Sequence, residues 1–249
     1  MTGLALWLAV VALLDLARTG RTLHGVRPLV LAALPALVVL VVVAVAAGPH
    51  GGGWVAWAVG VVGLLGWVLG TAEGWSTSGH GARAWQSSLA FGAFGATLLA
   101  FLVAGPRAGD ASFLEHVVTS SALGATVDAQ RVLTVVAVAL AQFGTANLLV
   151  RLLLERLGVP APDHEKRLRG GRFLGPMERL LIVGLAVGGS LDGAAVVVAA
   201  KALLRFPEVR ASASLGKPGG ATDVTEYFLV GSLASWIVAF GGVALLQLT

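Results

Sequence analysis

The sequence contains no cysteine and few charged residues, and both absences narrow the class of protein. Without cysteine, the chain can form neither disulfides nor thiolate metal sites. Only 12% of the 249 residues are charged, whereas 57% are hydrophobic and the mean hydropathy is +0.87. One soluble core could not bury so much apolar surface. We therefore expect lipid to be the main environment of this chain.

Several motifs that would indicate an enzyme or a metalloprotein are also missing. The chain has no P-loop, no HExxH zinc motif, no nucleophile elbow and no dinucleotide fingerprint. Paired aspartates that could hold magnesium and a diphosphate are absent, which argues against the common intramembrane prenyltransferases. The histidines share no spacing, so neither a metal site nor a cofactor is expected.

The apolar residues occur in runs of about twenty, the length that an α-helix needs to cross the hydrocarbon core of a bilayer. A transmembrane β-barrel would instead show weak alternating segments of about ten residues. We expect an all-α, polytopic transmembrane helix bundle with about seven spans, or six if the first or the sixth does not cross fully. The predicted spans are 3–17, 28–47, 54–71, 87–104, 132–154, 177–204 and 226–246.

The whole chain, 1–249, is interpreted as a single transmembrane domain. Residues 1–105 are predicted to form a four-helix N-terminal scaffold, with the first apolar run retained as a helix because no basic stretch precedes it. Residues 106–131 are predicted to form an external interfacial segment. Residues 132–249 supply three further spans, which carry most of the intramembrane charge. We therefore expect specific chemistry in the C-terminal part.

Arginines beside the spans predict the orientation in the membrane. Basic residues follow the first span and surround the connection between the fifth and sixth spans, so both loops are expected in the cytoplasm and the N-terminus outside. The basic loop at 205–217 conflicts with this arrangement, and its side stays open. Abundant alanine, valine, glycine and arginine with almost no lysine is typical of a GC-rich bacterial genome, which favours a bacterial cytoplasmic membrane. The net charge of +4 comes from these flanking arginines, so no nucleic-acid partner is expected.

The sixth predicted span has unusual features. It is about 28 residues long, which at about 1.5 Å per residue exceeds the bilayer core. Its middle contains Gly188, Gly189, Ser190 and Asp192, so the helix is either strongly tilted or broken there. Pro176 is expected to begin this helix, because proline and a first-turn acid such as Glu178 make a good helix start.

Polar residues inside the predicted spans are the candidate functional residues, because a charge in hydrocarbon requires a partner or a polar cavity. They are Asp15, Gln142, Asn147, Glu178, Asp192, Lys201, Glu226, Ser190, Ser232 and Ser235. If the protein is an enzyme, the candidate catalytic acids are Asp192, Glu226 and Glu178. For Lys201 and Glu226 two interpretations stay open. The lysine side chain either extends to the membrane interface and pairs with Glu226, or the two residues have a functional role. The candidate substrate-binding residues are Lys201, Arg205, Gln142, Asn147, Arg179 and Trp236. The glycines Gly92, Gly95, Gly184, Gly188 and Gly231 are predicted to allow close helix contacts.

Three sequence blocks carry a family resemblance. They are GRFLGPMERLLI at 171–182, AAKALLRFPEV at 199–209 and TEYFLVGSLAS at 225–235. In this order the region 147–242 resembles a bacterial family of polytopic membrane proteins known only as a domain of unknown function, whose N-terminal helices have no visible match here. The resemblance implies that six charged residues coincide with motif positions: Glu178, Arg179, Lys201, Arg205, Glu208 and Glu226.

The leading hypothesis is a small membrane transporter or channel-like protein for a small solute or ion. In it, Asp192 and Glu226 carry ions or protons, while Lys201 and Arg205 contact an anion. One alternative is a membrane-embedded enzyme that acts on a lipid or isoprenoid-like substrate by acid/base chemistry. A second alternative is a structural membrane subunit. Expected partners are membrane lipids and a small-molecule or lipid substrate, and a homo-oligomer is compatible with the sequence.

Overall fold

The computed structural model describes residues 1–18, 26–72, 79–110, 112, 128–159, 171–190, 192–200, 203 and 220–248. Within these ranges the chain is helical and forms no strand, which confirms the all-α prediction. The chain divides into two compact units. The first comprises Met1–Thr145 with Leu245–Thr249, and the second comprises Ala146–Ala244.

The first unit is built around its N-terminal helix. Its helices are α1 (Thr2–Arg18), α2 (Val26–Ala46), α3 (Gly53–Gly70), α4 (Gly79–Ala104), a short 3-10 helix (Gly105–Ala108) and α5 (Ala129–Phe143). Helix α1 contacts each of the others. Its side chains Trp7, Val11 and Ala12 are completely buried. Helix α1 has buried residues along most of its length, as a helix in the interior of a bundle does, and it is therefore the core of this unit.

Helices α3 and α4 approach closely along a row of glycines. A Cβ atom added to Gly66 would lie 2.7 Å from the Cβ of Ala93, and one added to Gly70 would lie 2.6 Å from the backbone nitrogen of Ala90. Such distances leave no room for a side chain at either position. Small residues allow this close backbone approach between membrane helices, where dispersion contacts replace the hydrophobic effect as the main attraction.

Most of the glycines that were predicted to make close helix contacts are not the ones at which α3 and α4 approach each other. Among the residues that the structure describes, a Cβ atom at Gly92, Gly95 or Gly184 would meet nothing within 4 Å. These three glycines therefore have no close helix neighbour in the described part of the chain, whereas a Cβ atom at Gly231 would lie 3.6 Å from the Cδ1 of Leu154. Glycine spacing marks a face on which helices can approach, but it does not say which of several such faces has a neighbour.

Two tryptophans fix the packing of α3 in the first unit. The indole N–H of Trp7 donates to the backbone oxygen of Gly60 at 2.9 Å, and that of Trp57 donates to the backbone oxygen of Ala108 at 2.7 Å. The Trp57 ring also meets Phe101 edge to face, with ring centroids 5.2 Å apart. Buried indoles normally need such a partner for the N–H group, so these rings have a structural role.

The second unit contains most of α6 (Thr145–Arg156), α7 (Gly171–Val187), a helical segment at 192–200 and most of α8 (Gly220–Gln247). Helix α7 begins at Gly171 and contains Pro176 in its interior. The prediction that Pro176 starts this helix is therefore wrong. Proline lacks the amide hydrogen and so removes one backbone hydrogen bond from an interior turn, a loss that α7 accommodates.

The sixth predicted span is broken, which decides between the two alternatives for it. Gly189 has φ +80°, its N–H donates to the oxygen of Ala186, and the N–H of Ser190 donates to the oxygen of Leu185 at 2.8 Å. This pair of bonds is the Schellman arrangement that ends helices. Helix α7 therefore has a capped end, and a separate helical segment follows at 192–200.

Three helical segments among the described residues are long and apolar enough to cross a membrane: Gly53–Gly70, Trp85–Ala108 and Leu229–Gln247. They correspond to the third, fourth and seventh predicted spans. Helices α5 and α6 are bent by 43° at Gly144 and make a fourth candidate if they count as one span. The helices therefore support a membrane protein with three or four candidate spans out of the seven predicted.

Candidate functional site

A buried arginine joins three helices in the second unit. Arg179 of α7 is 2% exposed. Its Nη1 donates to the hydroxyl of Ser235 on α8 at 3.0 Å, and its Nη2 donates to the amide oxygen of Asn147 on α6. We call Arg179, Asn147 and Ser235 the arginine cluster. Its three side chains come from helices that are far apart in the sequence, so only the folded unit creates it.

The local sequence explains why the guanidinium lies where it does. Side chains of an α-helix lean toward its N-terminus, over the preceding turn. Gly175 lies one turn before Arg179, and a Cβ atom there would be 3.5 Å from Arg179 Nη1. The glycine leaves the preceding turn open, and the long arginine side chain passes over it.

The chemistry of the arginine cluster is that of binding and not of proton transfer. A guanidinium stays protonated in proteins and offers five N–H donors in a planar fork. The amide of Asn147 and the hydroxyl of Ser235 are neutral, and each can either donate or accept a hydrogen bond. The Glu178 carboxylate favours the positive charge electrostatically. Guanidinium groups of this kind form charge-assisted hydrogen bonds, which are stronger than those between neutral groups.

The structure brings together two of the predicted binding residues, Arg179 and Asn147. Trp236 is half-buried and follows Ser235 on α8, while Glu178 is half-buried on α7. Asp192 is exposed at the start of the segment 192–200, immediately after the helix break. Gln142 is buried on α5 in the first unit.

Three predicted residues cannot be placed in the same way. Lys201 and Arg205 lie outside the described residues. The backbone of Glu226 belongs to α8, but its side chain lies outside the described part of the chain. Ser235 is a member of the arginine cluster that the sequence analysis noted as a polar residue inside a predicted span but did not name as a binding residue. A serine in an apolar helix is weak evidence for a binding site, because its hydroxyl usually bonds to a backbone oxygen of the same helix.

A second polar group, absent from the sequence-predicted site, is buried in the first unit. Asp15 of α1 is 2% exposed and forms an ion pair with Arg18. Its carboxylate accepts the indole N–H of Trp67 at 3.1 Å and the hydroxyl of Thr145 at 2.7 Å. Arg18 also donates to the hydroxyl of Thr71 at 3.2 Å. We call these five residues the aspartate network.

The aspartate network adjoins the bend at Gly144. A Cβ atom on Gly144 would lie 3.1 Å from the backbone oxygen of Ala12 and 3.2 Å from the Cβ of Asp15. Helix α1 therefore packs directly against the bend, and the Asp15 carboxylate holds the next residue, Thr145. The sequence prediction treated this N-terminal part as a scaffold, and the contacts show how one buried carboxylate organises it.

The described residues contain no group of three histidine, aspartate or glutamate side chains placed to hold a metal ion. In comparisons with known proteins, no family model, no curated protein and no solved structure matches this chain. The functional assignment therefore depends on the helix interruptions and the two buried polar groups.

Proposed function

We propose that the protein is a polytopic membrane transport protein for a small solute or ion, in a bacterial cytoplasmic membrane with about seven spans and the N-terminus outside. The observation that carries this proposal is the break between α7 and the segment 192–200. Interrupted helices at membrane depth expose backbone polar groups, which are tolerated only in a protein interior or beside a water-filled cavity. Transporters commonly place their substrate and ion sites at such interruptions.

The residues at the break support a solute pathway. Gly188, Gly189 and Ser190 are exposed, and Asp192 is the first described residue of the next helical segment. A carboxylate in the first turn of a helix interacts favourably with the helix dipole. Exposed backbone and a carboxylate within a predicted apolar span give a polar surface where a lipid-facing helix would have none.

The bend at Gly144 is a second interruption in an apolar helical segment. Two interrupted spans fit a transport protein better than a purely structural subunit, which needs only continuous apolar helices. The arginine cluster also favours binding over acid/base catalysis, because the arginine guanidinium stays protonated at physiological pH. Lipid chemistry and a structural role remain as the alternatives that the experiment must exclude.

Gly189→Ala is expected to slow transport, because alanine at φ +80° strains the cap that ends α7. The strain is about 1 to 2 kcal/mol, and if it acts on the transporting conformation, the flux falls by about fivefold to thirtyfold. The measurement is solute entry into liposomes that contain the purified protein, followed by stopped-flow light scattering after a jump in potassium acetate, potassium phosphate, potassium chloride or glycerol.

Gly184→Ala is the matched control, since it makes the same substitution on α7 at a position where an added Cβ meets nothing within 4 Å among the described residues. Its flux should equal that of the wild type. Wild-type liposomes no more permeable than protein-free liposomes to any of the four solutes would contradict the transport function.

A further inference from the structure

Asp15 is a buried carboxylate for which the proposed solute pathway gives no role. It lies in the first predicted span, and its side chain is 0% exposed. We propose that Asp15 reversibly binds a proton within the aspartate network, and that this proton accompanies the transported solute. The coupling to the solute rests on the proposed transport function, whereas the proton site depends only on contacts inside the first unit.

The two oxygens of the Asp15 carboxylate have different partners. Oδ1 accepts from the guanidinium of Arg18, a group that can only donate. Oδ2 accepts the hydroxyl of Thr145 at 2.7 Å. The indole N–H of Trp67, which also can only donate, lies 3.1 Å from each oxygen. Of these three partners, Thr145 is therefore the one that can change from donor to acceptor.

This difference gives the proton a place on Oδ2. A proton bound there makes an O–H group, which donates to Thr145 Oγ1 once the threonine hydrogen turns toward a backbone oxygen. Oδ1 still accepts from Arg18 and Trp67, because a protonated carboxyl keeps acceptor capacity. The step forms one O–H bond on Asp15 and breaks one in a hydronium ion. The network therefore supplies hydrogen-bond partners for both forms of Asp15.

A bound proton and Arg18 are alternative ways of stabilising the buried side chain. Burial removes the water that would solvate a charged carboxylate, so the charge has to be compensated or removed. Arg18 compensates it, and a proton removes it. Arg18 is the last residue of α1 and its side chain is 11% exposed, so water reaches the pair from this side. The groups that come from α3 and α6, namely Trp67, Thr71 and Thr145, are neutral.

The position of Asp15 favours a coupling role. Of the acidic side chains that the structure describes, only Asp15 is buried. A Cβ atom on Gly144, at the bend between α5 and α6, would lie 3.2 Å from the Cβ of Asp15. Acids inside membrane segments commonly form proton relays, and coupling ions bind at interrupted helices. A metal cation is disfavoured, because Arg18 and Trp67 direct hydrogens and not lone pairs at the carboxylate.

Asp15→Asn is the direct test of the proton site, because asparagine conserves the shape of the side chain but does not titrate. In the folded wild type, we expect the infrared C=O absorption of a protonated carboxyl to appear as the pH is lowered and to disappear as it is raised. This band should be missing from Asp15→Asn. The measurement is the infrared difference spectrum of the purified protein in liposomes, across the pH range in which the wild type stays folded.

Glu155→Gln is the matched control for the infrared titration. It also removes one carboxyl group, but one whose side chain is 47% exposed. The band that Asp15→Asn lacks should therefore persist in Glu155→Gln. A titration of Asp15→Asn identical to that of the wild type would overturn the proton site.

Arg18→Gln gives a second measurement that does not depend on the fold of Asp15→Asn. Loss of the positive charge removes the competitor of the proton and favours the neutral carboxyl. The band should therefore persist to a pH at least about one unit higher than in the wild type. A purely structural ion pair would show no such band in either protein. A band that titrates at the wild-type pH in Arg18→Gln would also refute the exchange between Arg18 and the proton.

The coupling is measured in liposomes that contain a trapped pH-sensitive dye. Entry of the solute that the wild type passes, among the four tested above, should change the internal pH beyond the change in protein-free liposomes. Asp15→Asn should reduce this pH change at least about tenfold, and Glu155→Gln should leave it unchanged. A pH change of wild-type size in Asp15→Asn would refute Asp15 as the coupling site.

The proton site and the transport function can fail separately. An infrared band that Asp15→Asn lacks, together with wild-type liposomes no more permeable than protein-free liposomes, would refute transport and leave the proton site. Solute entry into wild-type liposomes without a change of internal pH would refute the coupling and leave transport.

Discussion

Replacing Asp15 by alanine is expected to lower the free energy of unfolding by about 3 to 5 kcal/mol, the usual cost of removing one partner from a buried ion pair. The substitution leaves the Arg18 side chain, which is 11% exposed, without its carboxylate. It also removes the acceptor of the Trp67 indole and of the Thr145 hydroxyl. The measurement is reversible unfolding in mixed micelles of neutral detergent and dodecyl sulfate, followed by tryptophan fluorescence.

Glu155→Gln provides the matched control for Asp15→Ala. Glu155 pairs with Arg151 one turn away on α6, but both side chains are nearly half exposed, at 47% and 44%. Exposed pairs of this kind contribute about 0 to 1 kcal/mol, so the control should unfold almost as the wild type does. A loss of less than 1 kcal/mol in Asp15→Ala would show that the aspartate network does not stabilise α1.

A double replacement separates the charge from the contacts. Asp15→Leu with Arg18→Leu removes both charges, and replacing a buried ion pair by apolar residues is often neutral. We expect the double variant to be more stable than Asp15→Ala. Equal destabilisation of the two variants would instead assign the effect to the lost acceptor for Trp67 and Thr145.

The apolar runs predicted helices well because composition alone determines where a membrane helix can form. Helices α3, α4 and α8 could be predicted because each contains about twenty mostly apolar residues in a row. That prediction does not require knowing which other helices they contact. The residues that bond to Asp15 could not be predicted from local composition. Trp67 lies 52 positions and Thr145 130 positions from it along the chain. No periodicity in the sequence states which helices become neighbours.

The members of the arginine cluster could be predicted from the sequence, but their pairing could not. Arg179 and Asn147 were each notable as polar residues in apolar spans. Their pairing requires α6 and α7 to present the two side chains to each other, which is a property of packing. The break after Val187 was foreseen as one alternative, because glycine tolerates the positive φ that Gly189 adopts. The start of α7 was misplaced because proline is common at a first helical turn but is not confined to it.

Replacing Gly70 by valine is expected to cost about 3 kcal/mol, at the upper end of the usual penalty for overpacking. The first carbon of the new side chain would lie 2.6 Å from the backbone nitrogen of Ala90 and 2.7 Å from the backbone oxygen of Gln86. Backbone atoms of α4 cannot move aside without displacing the helix. Helices α3 and α4 must therefore separate, and the measurement is the same unfolding titration in mixed micelles.

Gly92→Val on α4 is the control for Gly70→Val, because an added Cβ there meets nothing within 4 Å among the described residues. It should unfold within about 0.5 kcal/mol of the wild type. Adding Ala90→Gly to Gly70→Val removes the contact with the Ala90 Cβ, but the contacts with backbone atoms persist. We therefore expect only partial recovery. Full recovery would mean that side chains, and not the two backbones, set the distance between α3 and α4.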